Sequence, residues 1–445
     1  MATEKTPFEL AMKGVVLIKP SKPTPFSVLH LSSLDHIPDL NTLCHTLHVY
    51  RSKVDDHDEP SCPNHQLLHP ADVIKAALSK ALFYYYPLAG RLVDHTDGKL
   101  VTNFPCGGFT IGMGLLHSVC DGVGAFQFFK AIMEFARGKT EPSVKPVWER
   151  DRLTGSITKN PLQIDFLDEA SAAVSPFLPT KVLMHQCIKV DSESIRRLKM
   201  SLMKESGENE NFTTFESLAA YVWRSKCRAL KMSYDGKVKL IITVGVRRHL
   251  QDPLPEGYYG NVVVDAYVVL TMRELNERPL YEIVKLIKES KKVSCNSDYV
   301  RNFMNTLETD LEKELMNFNV EGSGALTTLT DWRHLDFENV DFGVKEIVNV
   351  VPMPSDMFGC VDLCIFSALG NFDSSMEGGV DFGVKEIVNV VSMPSDMFGC
   401  VDLCIFSALG NFDSSMEGGV GIFVSLPAPA LLTFKEEMEA LSVLI

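Results

Sequence analysis

Apolar residues recur at helical spacing in "HPADVIKAALSKALFYYY", residues 69–86, with Asp72 as a cap and Pro87 as a stop, and a helix is predicted there. "AFQFFKAIMEFARG" is a second amphipathic stretch, closed by Gly138. "NFTTFESLAAYVWRSKCRAL" opens with Thr213 and Glu216 in capping-box spacing and continues as a helix, and residues 279–317 read as further helices. Other segments read as strands. "VVLIKPSKPTPFSVLHLSSLD", residues 15–35, predicts a strand, a proline-punctuated turn and a second strand, and a polar loop follows it. "GGFTIGMGLLH" is a glycine-rich strand over 107–117; "KLIITVGVRRH" and "GNVVVDAYVVLT" flank "LQDPLPEGYY"; the block after Gly324 is largely strand. Helices mixed with mostly non-alternating strands predict layered α/β architecture.

A chain of 445 residues is longer than one hydrophobic core usually supports, so two domains are expected. From "GKTEPSVKPVWERDRL" to about residue 185 the sequence is rich in proline and polar residues. The expected division is an N-terminal domain over 1–170, a crossover over 171–185 and a C-terminal domain over 186–445. The forty residues "DFGVKEIVNVVPMPSDMFGCVDLCIFSALGNFDSSMEGGV" start at Asp341 and return at Asp381, differing only at Pro352 against Ser392. Solenoid repeats diverge and need about three or more units to bury a shared core. Two nearly identical copies, 341–380 and 381–420, therefore read as a recent duplication or an assembly error, with one copy fitting the fold and the other extra.

Composition narrows the function classes. Hydrophobic residues at 45% and charged residues at 22% exclude a disordered or collagen-like chain. The formal charge of -14 argues against nucleic acid as the main partner. Eleven cysteines, an odd number scattered along the chain, read as reduced thiols in the cytoplasm. The N-terminus has mixed charge and prolines where a signal peptide has an apolar stretch, no apolar run is long enough to cross a bilayer, and "ALSVLI" offers no prenylation cysteine. A soluble cytoplasmic protein without a membrane partner is expected. Cys360 with Cys364 and Cys400 with Cys404 have a spacing that invites a metal, but "CVDLCIF" reads as a strand, in which residues four apart are roughly 13 Å from each other. Buried strand cysteines and no metal site are expected.

Chemistry concentrates in "GLLHSVCDGVGAF", residues 114–126. His117 stands at the end of a predicted strand, four positions before Asp121, with glycines at 122 and 124. Twelve histidines make a chance His-x-x-x-Asp easy to find, so the spacing alone is weak. A general base must be neutral near the working pH and held in orientation, and a strand end before a tight turn meets both needs. Asp121 either holds the ring or ties the turn to a distant cation. Ser118 and Cys120 raise a nucleophile reading, which nothing like Gly-x-Ser-x-Gly accompanies.

Several stretches together resemble the BAHD family of plant acyl-CoA-dependent acyltransferases: "HSVCDG" before a helix, "GYYGN" after "DPLP", "TDWRHL" before "DFG", and "MEGGV" with "VSLP". The likeness runs from "KPSKPTP" to "FKEEMEAL", and "CGGFTIG" with "GYYGN" is closest to the spermidine hydroxycinnamoyl and alkaloid acyltransferase branch. The resemblance implies two similar chloramphenicol-acetyltransferase-like α/β domains, each a mixed sheet with helices, and a channel between them. It implies a monomer of plant specialised metabolism, with acyl-CoA as co-substrate and no permanently bound cofactor. His117 matches the family's general base, acting on an amine such as spermidine, or on an alkaloid or other alcohol to give an ester. Asp121 matches a structural aspartate paired with an arginine, here Arg247; Trp332 and Thr330 match positions at the reaction centre. Asp341 and Gly343, and Asp381 and Gly383 in the second copy, match a structural loop distant from the base.

Two departures from the family pattern bring in a third reading, a catalytically inactive relative. Val344 and Val384 stand where the family carries tryptophan after Asp-Phe-Gly. In addition, "GKLVTNFPCGGFTIG" runs directly from one strand to the next where relatives carry a few dozen more residues, so a segment near 104–106 is expected to be missing; from the residues alone, the join is equally a tight hairpin at Pro105.

Overall fold

The computed structural model describes residues 17–25, 28–37, 40, 43–51, 70–89, 100–103, 109–157, 162, 167–180, 182–207, 210–309, 323–342, 346–353, 403–408 and 418–443. Two sheets organise them. The first is antiparallel, in the order β2-β3-β1-β8, from β1 (Leu43–Arg51), β2 (Leu100–Asn103), β3 (Phe109–Leu116) and β8 (Glu346–Met353). The second is mixed, in the order β4-β10-β9-β7-β5-β6. It uses β4 (Met184–Val190), β5 (Lys237–Gly245), β6 (Val263–Thr271), β7 (Leu326–Asp331), β9 (Leu403–Ala408) and β10 (Val420–Leu426), with β7 parallel to both β5 and β9.

Each sheet has its own apolar core. Helices α1 (Pro70–Tyr84) and α2 (Gly122–Ala136) pack together and bury Leu78, Phe128, Phe129 and Ile132 in a cluster with Ile111 and Met113 of β3. Across the molecule lie α3 (Ser192–Glu205), α4 (Thr214–Ala229), α5 (Met272–Glu277), α6 (Leu280–Ser294), α7 (Ser297–Leu307) and α8 (Ala428–Glu439). Here α4 lies between α6 and α8, with Trp223 fully buried. Its capping box forms as expected: Thr213 Oγ1 accepts from Glu216 N–H, and Glu216 accepts from Thr213 N–H. Among the described residues no helix is long and apolar enough to cross a membrane.

The N-terminal reading needs correction. The described part of 15–35 holds no strand; it is extended coil ending in a short 3-10 turn, Ser33–His36. Prolines at 20, 23 and 25 remove ladder donors, and Ser32 and Asp35 cap each other locally. Among the described residues the first strand is β1, inside what reads as a polar loop. Its histidines disguise it: His48 is fully buried, edge-on to Phe129 and Phe337. Helix α1 begins at Pro70, so Asp72 lies in its first turn and does not cap it. The helical stretch expected over 279–317 breaks at Cys295–Asn296, and α7 ends at Leu307.

The two copies of the repeated block share the structural work. Copy one supplies β8 to the first sheet, and copy two supplies β9 to the second. Among the described residues the block thus contributes the front of its first copy and the back of its second; residues 354–402 lie outside them. Connectivity decides it, because β8 follows directly on residues 326–342, whereas β9 leads into β10. Strand β8 is an edge strand, where Pro352 is tolerated. Cys404 is fully buried in β9, as expected; Cys360, Cys364 and Cys400 lie outside the described residues, as do Gly343, Val344, Asp381, Gly383 and Val384. Strands β2 and β3 pair antiparallel, with Asn103 opposite Phe109; residues 104–108, where the join falls, lie outside the described residues.

Deleting residues 354–393 leaves one continuous copy with β8 and β9 intact. Thermal unfolding of this variant is expected at or above the Tm of the full chain, because a connection forty residues shorter costs about 1.5 kcal/mol less to close. A variant that fails to fold would show that the extra residues carry structure of their own.

Candidate active site

His117 opens a short 3-10 turn at the end of β3, and α2 begins five residues later. The ring is half-buried. Its Nδ1 lies 3.2 Å from Asn261 Oδ1, and Asn261 Nδ2 donates back to the His117 carbonyl at 2.8 Å. The same Nδ2 donates to Asp35 at 2.8 Å, so both amide hydrogens are committed and Oδ1 is left as an acceptor. That network assigns the ring proton to Nδ1 and the lone pair to Nε2. Burial lowers the pKa of His117 below its ordinary value, outweighing the opposing influence of its own carbonyl, Asp121, Asn261 and Asp35. The imidazole is therefore neutral at neutral pH.

Asp121 does not hold the ring. It caps α2 by accepting from Gly124 N–H at 2.9 Å, accepts from Val262 N–H at 3.1 Å, and takes Arg247 Nη2 on both oxygens at 2.9 and 3.0 Å. Arg247 also donates to the carbonyls of Tyr258 and Gly260. Gly124 is required where α2 meets this loop, since a Cβ there would run into the Tyr259 carbonyl. The nucleophile reading fares poorly. Cys120 is buried with its thiol pKa pushed far up by desolvation, so it stays protonated, and Ser118 is buried away from the cavity.

A cavity of about 750 Å³ opens beside His117 and brings together residues from both sheets. Asp121, Arg247, Thr330 and Trp332 line it with the histidine, as do Arg248, His249 and His334, which the sequence reading passed over. Thr330 stands near the end of β7, and Trp332 follows it, its ring edge-on to Phe337. Asp341 lies elsewhere: it pairs with Arg137 at the C-terminal cap of α2, one helix length of about 20 Å from the turn carrying His117.

Sequence reasoning also missed Asp35, Arg150 and Asn261. Asn261 lies in "GYYGN", and Arg150 lies in the proline-rich polar stretch that begins at "GKTEP". Their signal was the combination of aromatic residues, glycine and a lone charge in "VWER" and "GYYGN"; only the fold brings these short stretches together. Among the described residues, no cluster of histidine, cysteine and carboxylate side chains could hold a metal ion.

The model of the Transferase family matches residues 8–101 and 99–377, in two pieces that overlap at the start of β2. The chain belongs to the BAHD acyltransferase family. Two BAHD relatives from Arabidopsis thaliana are similar over most of their length. Spermidine coumaroyl-CoA acyltransferase is 35% identical, with 84% of this chain and 92% of the relative covered. Spermidine sinapoyl-CoA acyltransferase is 33% identical, with 96% of each chain covered. The crystal structure of vinorine synthase superimposes with a TM-score of 0.62 at 18% identity, covering 98% of both chains. The fold is thus the two-sheet α/β build expected from the resemblance.

Burial lowers the pKa of His117 and also those of His45, to about 4, and His48, to about 3. In each case the folded pKa lies below the unfolded value, so the unfolded chain binds more protons in that window. Their contribution to stability is complete above pH 6.5 and falls as the pH drops through it. Urea unfolding between pH 6.5 and 5 should show stability falling with pH, and a folded His48→Leu variant should show a flatter slope. An unchanged slope would place the proton uptake on other groups.

Proposed function

We propose that this BAHD protein is an acyl-CoA-dependent acyltransferase with His117 as general base. The observation that carries the reading is a neutral imidazole, its Nδ1 proton engaged by Asn261, beside a cavity lined from both sheets. Nε2 takes the proton of an acceptor N–H or O–H as the acceptor attacks the thioester carbonyl. The tetrahedral oxyanion collapses and expels the CoA thiolate, which recovers the proton from His117. Trp332 and Thr330 are proposed to contact this oxyanion and the substrate. Asp121 and Arg247 have structural roles, as do Asp341 and Gly343, whose counterparts in the second copy are Asp381 and Gly383. The protein is further proposed to act as a cytoplasmic monomer divided near residues 171–185, without nucleic acid or membrane partners.

The acceptor proposed first is an amine of the spermidine type, supported by the names of the two Arabidopsis relatives. The donor is a hydroxycinnamoyl-CoA or a similar ester. One observation favours the second reading, an alcohol acceptor giving an ester. Among the described residues, both carboxylates lining the cavity are already paired, Asp121 with Arg247 and Asp331 with Arg333, so neither is free to receive a polyamine's second ammonium.

Panels of hydroxycinnamoyl-, benzoyl- and acetyl-CoA against spermidine and alcohol acceptors test the proposal. His117→Ala is expected to lower kcat by about 10²- to 10⁴-fold with Tm unchanged. Equal turnover by both proteins would refute the base assignment. No product from the wild-type chain with any pair would return the catalytically inactive reading.

A further inference from the structure

Asp35 is fully buried, far in sequence from every other residue of the site, yet two of its partners, Asn261 and Arg150, reach His117 or the turn it opens. Its Oδ1 accepts from Asn261 N–H at 3.1 Å, from Asn261 Nδ2 at 2.8 Å and from Arg150 Nη1 at 2.9 Å. Its Oδ2 accepts from the Ser32 backbone N–H and hydroxyl. Arg150, also buried, donates Nη2 to the carbonyl of Val119, inside the turn that begins with His117. The guanidinium lies 4.2 Å from the Trp148 ring centroid and 5.1 Å from that of Tyr259. Gly260 leaves it room, since a Cβ there would overlap Arg150 Nη1.

We infer that Asp35, neutralised by Arg150, is a positioning residue that selects the tautomer of His117 through the side chain of Asn261. A carboxylate only accepts, and so does the His117 carbonyl; together they require the Asn261 nitrogen on their side. Turning the amide over would set its oxygen against both acceptors. The amide oxygen is thereby fixed toward Nδ1, which must carry the proton, and Nε2 is left free to accept one. An asparagine at position 35 weakens this discrimination, because it can offer a donor to a reversed Asn261 and leaves the His117 carbonyl alone in opposing the reversal. The inference rests on the reading of His117 as base, but its first consequence, the ring tautomer, is measurable without turnover.

Other charged groups face the ring. Asp121 approaches from the start of α2 and is paired with Arg247, Cys44 and Cys120 present protonated thiols, and Arg248, His249, Asp331 and His334 line the cavity. Of these, Asp121 raises the affinity of His117 for a proton, as Asp35 does. Removing the charge at 35 therefore moves the titration of His117 down, whereas the tautomer changes only if Asp35 acts through Asn261.

The test is Asp35→Asn with selectively ¹⁵N-histidine-labelled full-length protein. In the wild type the ring should resonate as the Nδ1–H form. In the folded variant a mixture or the Nε2–H form is expected, with kcat reduced about 10²-fold or more, KM for the acyl-CoA within about twofold, and the acid limb of the pH profile moved to lower pH. A folded variant with the wild-type tautomer and wild-type kcat overturns the inference. Should loss of the buried charge prevent folding, Asn261→Ala carries the same test: a mixed tautomer with reduced kcat is expected, and an unchanged tautomer overturns it. Full activity in His117→Ala would sink the base reading, while the tautomer spectra would still decide the role of Asp35.

Discussion

The carboxylate of Asp121 is where the two halves of the molecule meet. It caps α2 beneath the first sheet, receives the N–H of Val262 at the approach to β6, and takes the guanidinium of Arg247 after β5. Breaking such a largely buried pair from one side typically costs about 3–5 kcal/mol, because the remaining charge is left uncompensated. This constraint fixes how the end of β3 sits against the 247–262 segment. His117, four residues before Asp121, is placed beside Asn261 as a consequence. The aspartate of the motif thus serves the histidine by holding the walls of its cavity together.

Local charge at the cavity differs from that of the whole chain. The formal net charge is -14, yet the described cavity presents Arg247, Arg248 and three histidines, with its two carboxylates each tied to an arginine. Net charge informs solubility and long-range steering, while the distribution of charge around a site decides what that site receives. The acidic composition therefore contributes little to the choice of acceptor.

The repeated block makes a similar point about fold. Two almost identical sequences are used differently because their neighbours in the chain differ. Copy one is tethered to β7 and the Phe337 turn, which lead to the edge of the first sheet beside β1; copy two is tethered to β10, which pairs with its β9 strand directly. Short connections favour the nearer pairing, so position along the chain, more than local propensity, assigns each strand to its sheet.

Much was legible from local pattern. The periodicity of α1, α2 and α4, the strands β3, β5 and β6, and the placement of His117 at a strand-to-helix junction all follow from residues close in sequence, where side-chain period and capping chemistry act over a few positions. Strand β1 was not legible, because His48 becomes apolar in effect only when buried against Phe129 and Phe337. Nor was the role of Asp35, Arg150 and Asn261 legible, since they are separated by more than a hundred residues and gain meaning only as hydrogen-bond partners. By itself the sequence determined most of the helices, several of the strands, the family and the candidate base. The tertiary structure decided which nitrogen of that base is free, because a tautomer is set by partners that only the folded chain brings within hydrogen-bond reach.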